Sequence, residues 1–362
     1  MAEKLRSGYT TGTHATAVLV AALLWKFEKK AVDTLEILLP KDLRATIEVF
    51  REGERFCTLK GDNDDIDVTK GAHISVRLLE EIPQGLKEQN PSGLHIGAFT
   101  LSIWAGDGVG VVTKKGLKIS PSHPAINPVP LEMMHENIQE IVKKRALHLH
   151  AVFEVKDGES IALQTANAKV GVLGGISILG TRGIVKPVSS SAYIDSIETE
   201  IDVAAAQSQE VIVFTLGNSA VDFAKELYDE VSIVEIGNFV YDASERLQKH
   251  NFKKMVFVTS VAKMTKVAQG FKNTHNRFGT LDFCKVKECL KNELNIELID
   301  EEFLTLKAVL AELDTQEKKA FVELLSKKAV EQLKEWFVEL ELQTKQIEVI
   351  TLPSGVKKEI EW

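Results

Sequence analysis

Cysteine is scarce in this chain, with three residues in 362: Cys57, Cys284 and Cys289. The number is odd and no C-x-x-C pair occurs. A disulfide framework or a zinc knuckle is therefore not expected, and a reducing cytoplasm is the natural reading. Cys284 and Cys289 stand five apart, off the spacing that would align them on one helical face. An excess of positive charge is absent too. The net charge is −8 and the pI near 5.7, so the broad basic face that a nucleic-acid backbone demands is not expected. A small anionic ligand in a local basic pocket remains compatible.

Long apolar runs are also missing. The longest, residues 15–25 with Thr16 inside it, falls far short of the ~18 residues of a membrane helix. Lys4 and Arg6 precede it, as in a signal peptide. But a polar Thr/Gly segment intervenes, and "WKFEKK" follows where a cleavage site would carry small residues. Neither a membrane partner nor a leader is expected. No G-x-G-x-x-G follows any strand, which disfavours a standard dinucleotide site. No spacing suits a metal and no Ser-His-Asp order stands out, so no protein-bound metal is expected.

What is present reads as a globular protein, 44% apolar and 27% charged, long enough for two domains. Residues 13–30 predict a buried helix. "TLEILLP", "RATIEVF", "RFCTLKG" and "AHISVRLLE" predict strands. Residues 99–120 read as strands joined through a Gly-rich turn. Residues 147–165 read as a hairpin about Asp157-Gly158, and a helix near 130–146 separates the two. Residues 1–207 are thus expected to be mixed α+β with mostly antiparallel pairing. Then "EVIVFTLGNSAVDFAKELYDE", "VSIVEIGNFVYDASERLQKH" and "KKMVFVTSVAKMTKVAQG" repeat strand, turn, helix. Residues 208–362 are therefore expected to be a doubly wound parallel α/β domain, ending in charged helices and a last strand, "QIEVITL".

Several stretches offer chemistry. "GYTTGTHATA" (8–17) places four threonines ahead of a greasy helix, although a helix start needs one capping hydroxyl. Gly217-Asn218 and Gly237-Asn238 sit at consecutive strand ends, where doubly wound sheets bind ligands; Gly-Asn is also plain turn chemistry. "GDGVGVV" (106–112) is read as a tight hairpin capped by Asp107, or as a pocket wall. "SPSHPAINPVP" (120–130) reads as a stiff extended segment able to hold Asn127 against a ligand. Residues 170–193 hold five glycines, the composition of backbone packed close to something flat or bulky, with Arg182 and Lys186 suited to carboxylates. "GFKNTHNRFGT" (270–280) gathers a polar, partly cationic rim around His275.

"LRSGYTTGTHATA", "DVTKGA", "GDGVGVVTKKGLKI", "PAINPVP", "GGISILGTRGIVKPVS" and "NTHN" occur in this order between residue 5 and about residue 282. In these strings the chain resembles the CbiD family, the cobalt-precorrin-5B (C-1)-methyltransferases of anaerobic cobalamin synthesis. The resemblance implies methyl transfer from S-adenosylmethionine to ring carbon 1 of a cobalt-containing corrinoid precursor, a ring with acidic side chains. It makes 1–207 the corrinoid-binding part, with Thr10, Thr11, Thr13, His14, Asn127, Arg182 and Lys186 as substrate contacts. It makes 208–362 the cofactor-binding part through Gly217, Asn218, Gly237 and Asn238. Asp107 and His275 are the candidates for proton handling. A homo-oligomer is left open. The chain departs from the family pattern at His14, where a Cys is expected, and at Leu131, where an Arg is usual. It departs again at Ser260, Val261 and Ala262, in place of a Gly/His stretch. A non-catalytic tetrapyrrole-binding protein is the alternative that this last change suggests.

Overall fold

The computed structural model describes residues 6–64, 67–86, 88–185, 190–299, 303–343 and 346–352. They divide into two compact units, Met1–Ser190 and Ser191–Trp362. The first unit begins with β1 (Gly8–Tyr9) and α1 (Thr11–Glu28). Thr10 is extended and its side chain accepts from the Thr13 amide, which starts the helix; Lys29, at φ 54°, ends it. Every residue from 11 to 23 is buried, because this helix is apolar around its whole circumference.

β2 (Thr34–Leu39) and β3 (Leu43–Glu48) form an antiparallel pair. Next come β4 (Phe50–Glu52), β5 (Arg55–Leu59), β6 (His73–Leu79), β7 (Ser92–Ile96), β8 (Phe99–Ala105), β9 (Gly108–Val109) and β10 (Val111–Val112). α2 (Pro128–Val142) and β11 (His148–Val155) follow. A six-stranded sheet runs β4-β5-β6-β11-β8-β7. It is antiparallel except where β11 lies parallel to β8, since α2 is the crossover between them. Alternation sends Ile74, Val76, Leu101, Ile103, Ala151 and Phe153 into one core with Leu19, Leu23, Met134 and Ile138 of α1 and α2.

The expected hairpin about Asp157-Gly158 does not form. Asp157, at φ 56°, turns the chain instead into α3 (Gly158–Ala162) and then α4 (Asn167–Val170). A Cβ on Gly158 would overlap the backbone of Gly108, and that close seat fixes the turn. Short strands β12 (Val172–Leu173), β13 (Gly175–Ile176) and β14 (Ile184–Val185) then pair with β10, β9 and β1 in turn.

The second unit starts one helix earlier than the expected 207/208 boundary. α5 (Ser190–Ala206) buries Ile197, Ile201 and Ala204 in that unit's core. β15 (Val211–Leu216), α6 (Asn218–Leu227), β16 (Ile233–Glu235), α7 (Val240–Glu245), β17 (Lys254–Ser260) and α8 (Val261–Ala268) alternate as expected. α9 (Phe283–Leu294), α10 (Leu306–Glu312) and α11 (Thr315–Glu339), the last opened by an Asp314/Glu317 capping box, lead to β18 (Gln346–Leu352). The four strands are all parallel, in the order β16-β15-β17-β18. Chain direction across the sheet therefore reverses between β15 and β17. In such sheets the crevice for a ligand lies beyond the carboxyl ends of those two strands.

Candidate functional site

Beyond β15 stands Gly217, at φ 108° and ψ 160°, a backbone state that side chains rarely adopt. A Cβ there would meet only the Lys263 ammonium, 3.9 Å away, so the space over the turn is open. Among the described residues no side chain caps the first turn of α6, and none caps α8, which Ser260 precedes. Two helix starts thus lack side-chain partners for their leading amides at one switch point, a ready seat for an anionic or polar ligand. Asn218 is exposed there. Half-buried Lys263 donates from Nζ to the Gly237 carbonyl at 3.2 Å. Burial lowers its pKa, against the opposing pull of Glu235. One residue before the end of β17, the Thr259 hydroxyl is fully buried and has no partner among the described residues.

The turn beyond β16 is less open. Gly237, at φ 58°, faces the Tyr193 ring, whose hydroxyl donates to the Glu235 carbonyl at 3.1 Å. Burial raises the Tyr193 pKa to about 12. Asn238 Oδ1 accepts from the Thr274 hydroxyl at 2.8 Å, and its carbonyl accepts from the Thr274 amide at 3.0 Å. The "NTHN" loop and the second Gly-Asn turn therefore meet, as a fastened pair. His275 lies in that loop, exposed, with Nδ1 accepting from the Arg277 amide at 3.1 Å. It caps a short turn. Buried Lys266 holds the same loop through the carbonyls of Thr274 and Gly279 and through Asn276 Oδ1.

In the first unit, the threonines at the start of α1 are tied to the Gly-rich tract. Thr11 Oγ1 donates to the Leu179 carbonyl at 3.2 Å and accepts from the Leu179 amide at 2.9 Å. Thr13 Oγ1 donates to the Gly183 carbonyl at 2.7 Å, and the Thr10 hydroxyl contacts Thr13 Oγ1 at 3.2 Å. Gly180 sits so close to Thr10 that a Cβ would collide with the Thr10 side chain. The surplus hydroxyls form a seam between α1 and residues 177–183. His14 is buried, with Nδ1 3.1 Å from Thr58 Oγ1 and Nε2 unpartnered among the described residues. Burial, assisted by the Lys60 charge, lowers its pKa to about 4.

Asn127 precedes Pro128 at the start of α2, so the Pro-rich stretch turns helical there and does not stay extended; the Asn127 side chain makes no capping bond. Arg182 is exposed. Lys186 lies outside the described residues. Asp107 is exposed in the turn from β8 to β9. That turn is closed by backbone, Val109 N–H to the Gly106 carbonyl at 3.1 Å, where a cap by the Asp107 carboxylate was expected. The tract's glycines approach protein: a Cβ on Gly175 would overlap Gly108 backbone, and one on Gly171 the Lys114 side chain.

Sequence reading missed a polar patch on the sheet face turned away from α1. Trp104 Nε1 donates to His150 Nδ1 at 3.1 Å, Ser102 Oγ lies 2.9 Å from His148 Nε2, and the two imidazoles stack at 4.6 Å. Burial and the neighbouring His148 lower the His150 pKa. The signal was there: His-x-His in a strand puts both rings on one face.

The described residues form a mixed α+β unit and a parallel α/β unit, the class of mixed α/β proteins. Comparison with known proteins narrows the class. The model of the CbiD family matches residues 1–187. A cobalt-precorrin-5B C(1)-methyltransferase of Thermoanaerobacter sp. (strain X514) is 36% identical over 280 residues, covering 76% of this chain and 72% of that protein. The protein of the same name from Pseudomonas syringae pv. tomato is 36% identical over 287 residues, covering 77% and 74%. A crystal structure of a cobalamin biosynthesis protein (cbiD) from Archaeoglobus fulgidus aligns at 25% identity over 70% of this chain and 76% of that one, with a TM-score of 0.38. This chain belongs to the CbiD family.

Proposed function

We propose that this chain is a cobalt-precorrin-5B C(1)-methyltransferase, moving a methyl group from S-adenosylmethionine to ring carbon 1 of a cobalt corrinoid and giving cobalt-precorrin-6A. Support for the reaction comes from relatives of that name, 36% identical over three quarters of the chain. Support for the place of the cofactor comes from the switch point of the parallel sheet. Gly217 carries no Cβ over open space, and among the described residues no side chain caps the two neighbouring helix starts. These features fit a nucleoside bearing an amino-acid tail. When bound, S-adenosylmethionine supplies an electrophilic methyl on a sulfonium.

The chain's own residues then bind and align. Gly217 lets the ligand approach the backbone, Asn218 offers amide hydrogen bonds, and Lys263 suits the carboxylate of the tail. Gly237 and Asn238 shape the wall through the Thr274 link. In the first unit the threonine seam fixes residues 177–183, which present Arg182; Arg182 and Asn127 are the partners for acidic ring substituents. Alignment and exclusion of water carry the rate. Asp107, exposed on its turn, and His275, which caps a turn through Nδ1, stay the candidates for any proton handling. The described cysteines are free, which fits a reducing cytoplasm.

The test is incubation of the purified chain with S-adenosylmethionine and cobalt-precorrin-5B, followed by mass spectrometry. Appearance of a product with one added methyl supports the reading. Ring binding with neither cofactor binding nor methyl transfer would favour the non-catalytic tetrapyrrole binder suggested by Ser260, Val261 and Ala262.

A further inference from the structure

We propose that Glu52, Cys57 and His73 form a site for a thiophilic divalent cation of the zinc type at the edge of the six-stranded sheet. The three residues come from the adjacent strands β4, β5 and β6. His73 Nε2 lies 3.5 Å from Glu52 Oε2, and Cys57 Sγ lies 3.8 Å from the same oxygen. The three donor atoms all fall within 4.8 Å of one another. Tetrahedral zinc, with bonds of about 2.0–2.3 Å, separates its ligands by about 3.3–3.8 Å. Two edges of the triangle already match, and the third closes with a shift of at most about 1.3 Å.

The donor types agree with the geometry. Thiolate, imidazole and carboxylate together suit zinc or cobalt(II), and disfavour calcium and magnesium. Cys57 is buried, His73 is half-buried and Glu52 is the exposed member. Two anchors therefore come from inside the sheet, while the solvent side is left for a fourth ligand. The Phe50 ring packs edge-on against His73, with centroids 5.7 Å apart, and steadies the imidazole. Arg55, on the same strand as Cys57, is occupied by Glu154, with Nε 2.6 Å from Oε2. On binding, the Cys57 S–H bond is replaced by a sulfur–metal bond and the proton passes to solvent. The proposal departs from the expectation of no protein-bound metal. The residue spacing matches no metal motif because the ligands converge only through strand pairing.

The experiment is titration of the purified full chain, first stripped with a chelator, with cobalt(II) as the optical stand-in for zinc. One equivalent is expected to bind, giving a thiolate-to-cobalt charge-transfer band and the intense visible bands of tetrahedral cobalt, both removed by added zinc. Cys57→Ser is expected to abolish the charge-transfer band, and Glu52→Gln and His73→Ala each to weaken binding at least tenfold. A Cys284→Ser, Cys289→Ser double variant should keep the band. If Cys57→Ser does not fold, the two other ligand variants decide. A missing band, a band that survives in Cys57→Ser, or unchanged affinity in both Glu52→Gln and His73→Ala overturns the site.

Discussion

Both units begin a helix after a tract of small polar residues, and the two starts end up as opposites. At α1 every threonine hydroxyl of 10, 11 and 13 is engaged inside the unit, two of them by residues 177–183. At α6 and α8 no side chain among the described residues caps the first turn, and a Cβ on Gly217 would have room. The same local grammar yields a closed seam in one case and an unfilled turn in the other. What decides is whether another stretch of chain arrives to take up the donors and fill the room left by a missing Cβ. A helix start becomes a ligand site only where the protein leaves it unfinished.

The glycines break this comparison most sharply. Gly175→Ala forces a methyl into the backbone of Gly108, where nothing flexible can yield. A loss of about 4 kcal/mol or more in urea unfolding is expected. Gly217→Ala has room, so its cost is the strained backbone alone, about 1–3 kcal/mol. Equal costs at the two sites would contradict the distinction between seam and crevice.

His14 tests how closed the seam is. Its pKa of about 4 lies below the ordinary 6.5 because burial disfavours the charged ring. The unfolded chain takes up the proton as pH falls through 6.5, while the folded chain resists it until about pH 4. Stability is therefore lost on acidification across that window and is fully present above it. Relative to His14→Gln, the native chain should lose about 3 kcal/mol more between those limits, at about 1.4 kcal/mol per pH unit. Parallel pH profiles for the two proteins would mean that the ring is solvated.

Somewhat smaller is the effect of Thr11→Val with Thr13→Val. Two hydroxyl donors to backbone carbonyls are lost, at about 1 kcal/mol each, and calorimetric melting should register it. Affinity for S-adenosylhomocysteine should not change. Smallest for the fold is Asn218→Leu, exposed at the crevice: within about 0.5 kcal/mol in stability, but at least a tenfold loss of cofactor affinity by titration calorimetry.

The parallel sheet was legible because strand, turn and helix follow one another three times, and a right-handed crossover leaves few other arrangements. The strand assignments of the first unit were legible from alternation. Its one parallel pair, β11 on β8, was not, since only the position of α2 reveals the crossover. Nor was the function of the threonines. A sequence shows that Thr13 carries a hydroxyl, and does not show that its partner is the carbonyl of Gly183, 170 residues away. Glycine is ambiguous for the same reason: Gly175 makes room for protein, and Gly217 leaves it open.

The most direct measurement is hydrogen exchange of the full chain with and without S-adenosylhomocysteine. Slowed exchange is expected at the amides of 217–220 and 260–264, with those of 10–14 and 177–183 unchanged. Protection confined to the threonine seam, with the Gly217 turn exchanging as before, would contradict the account.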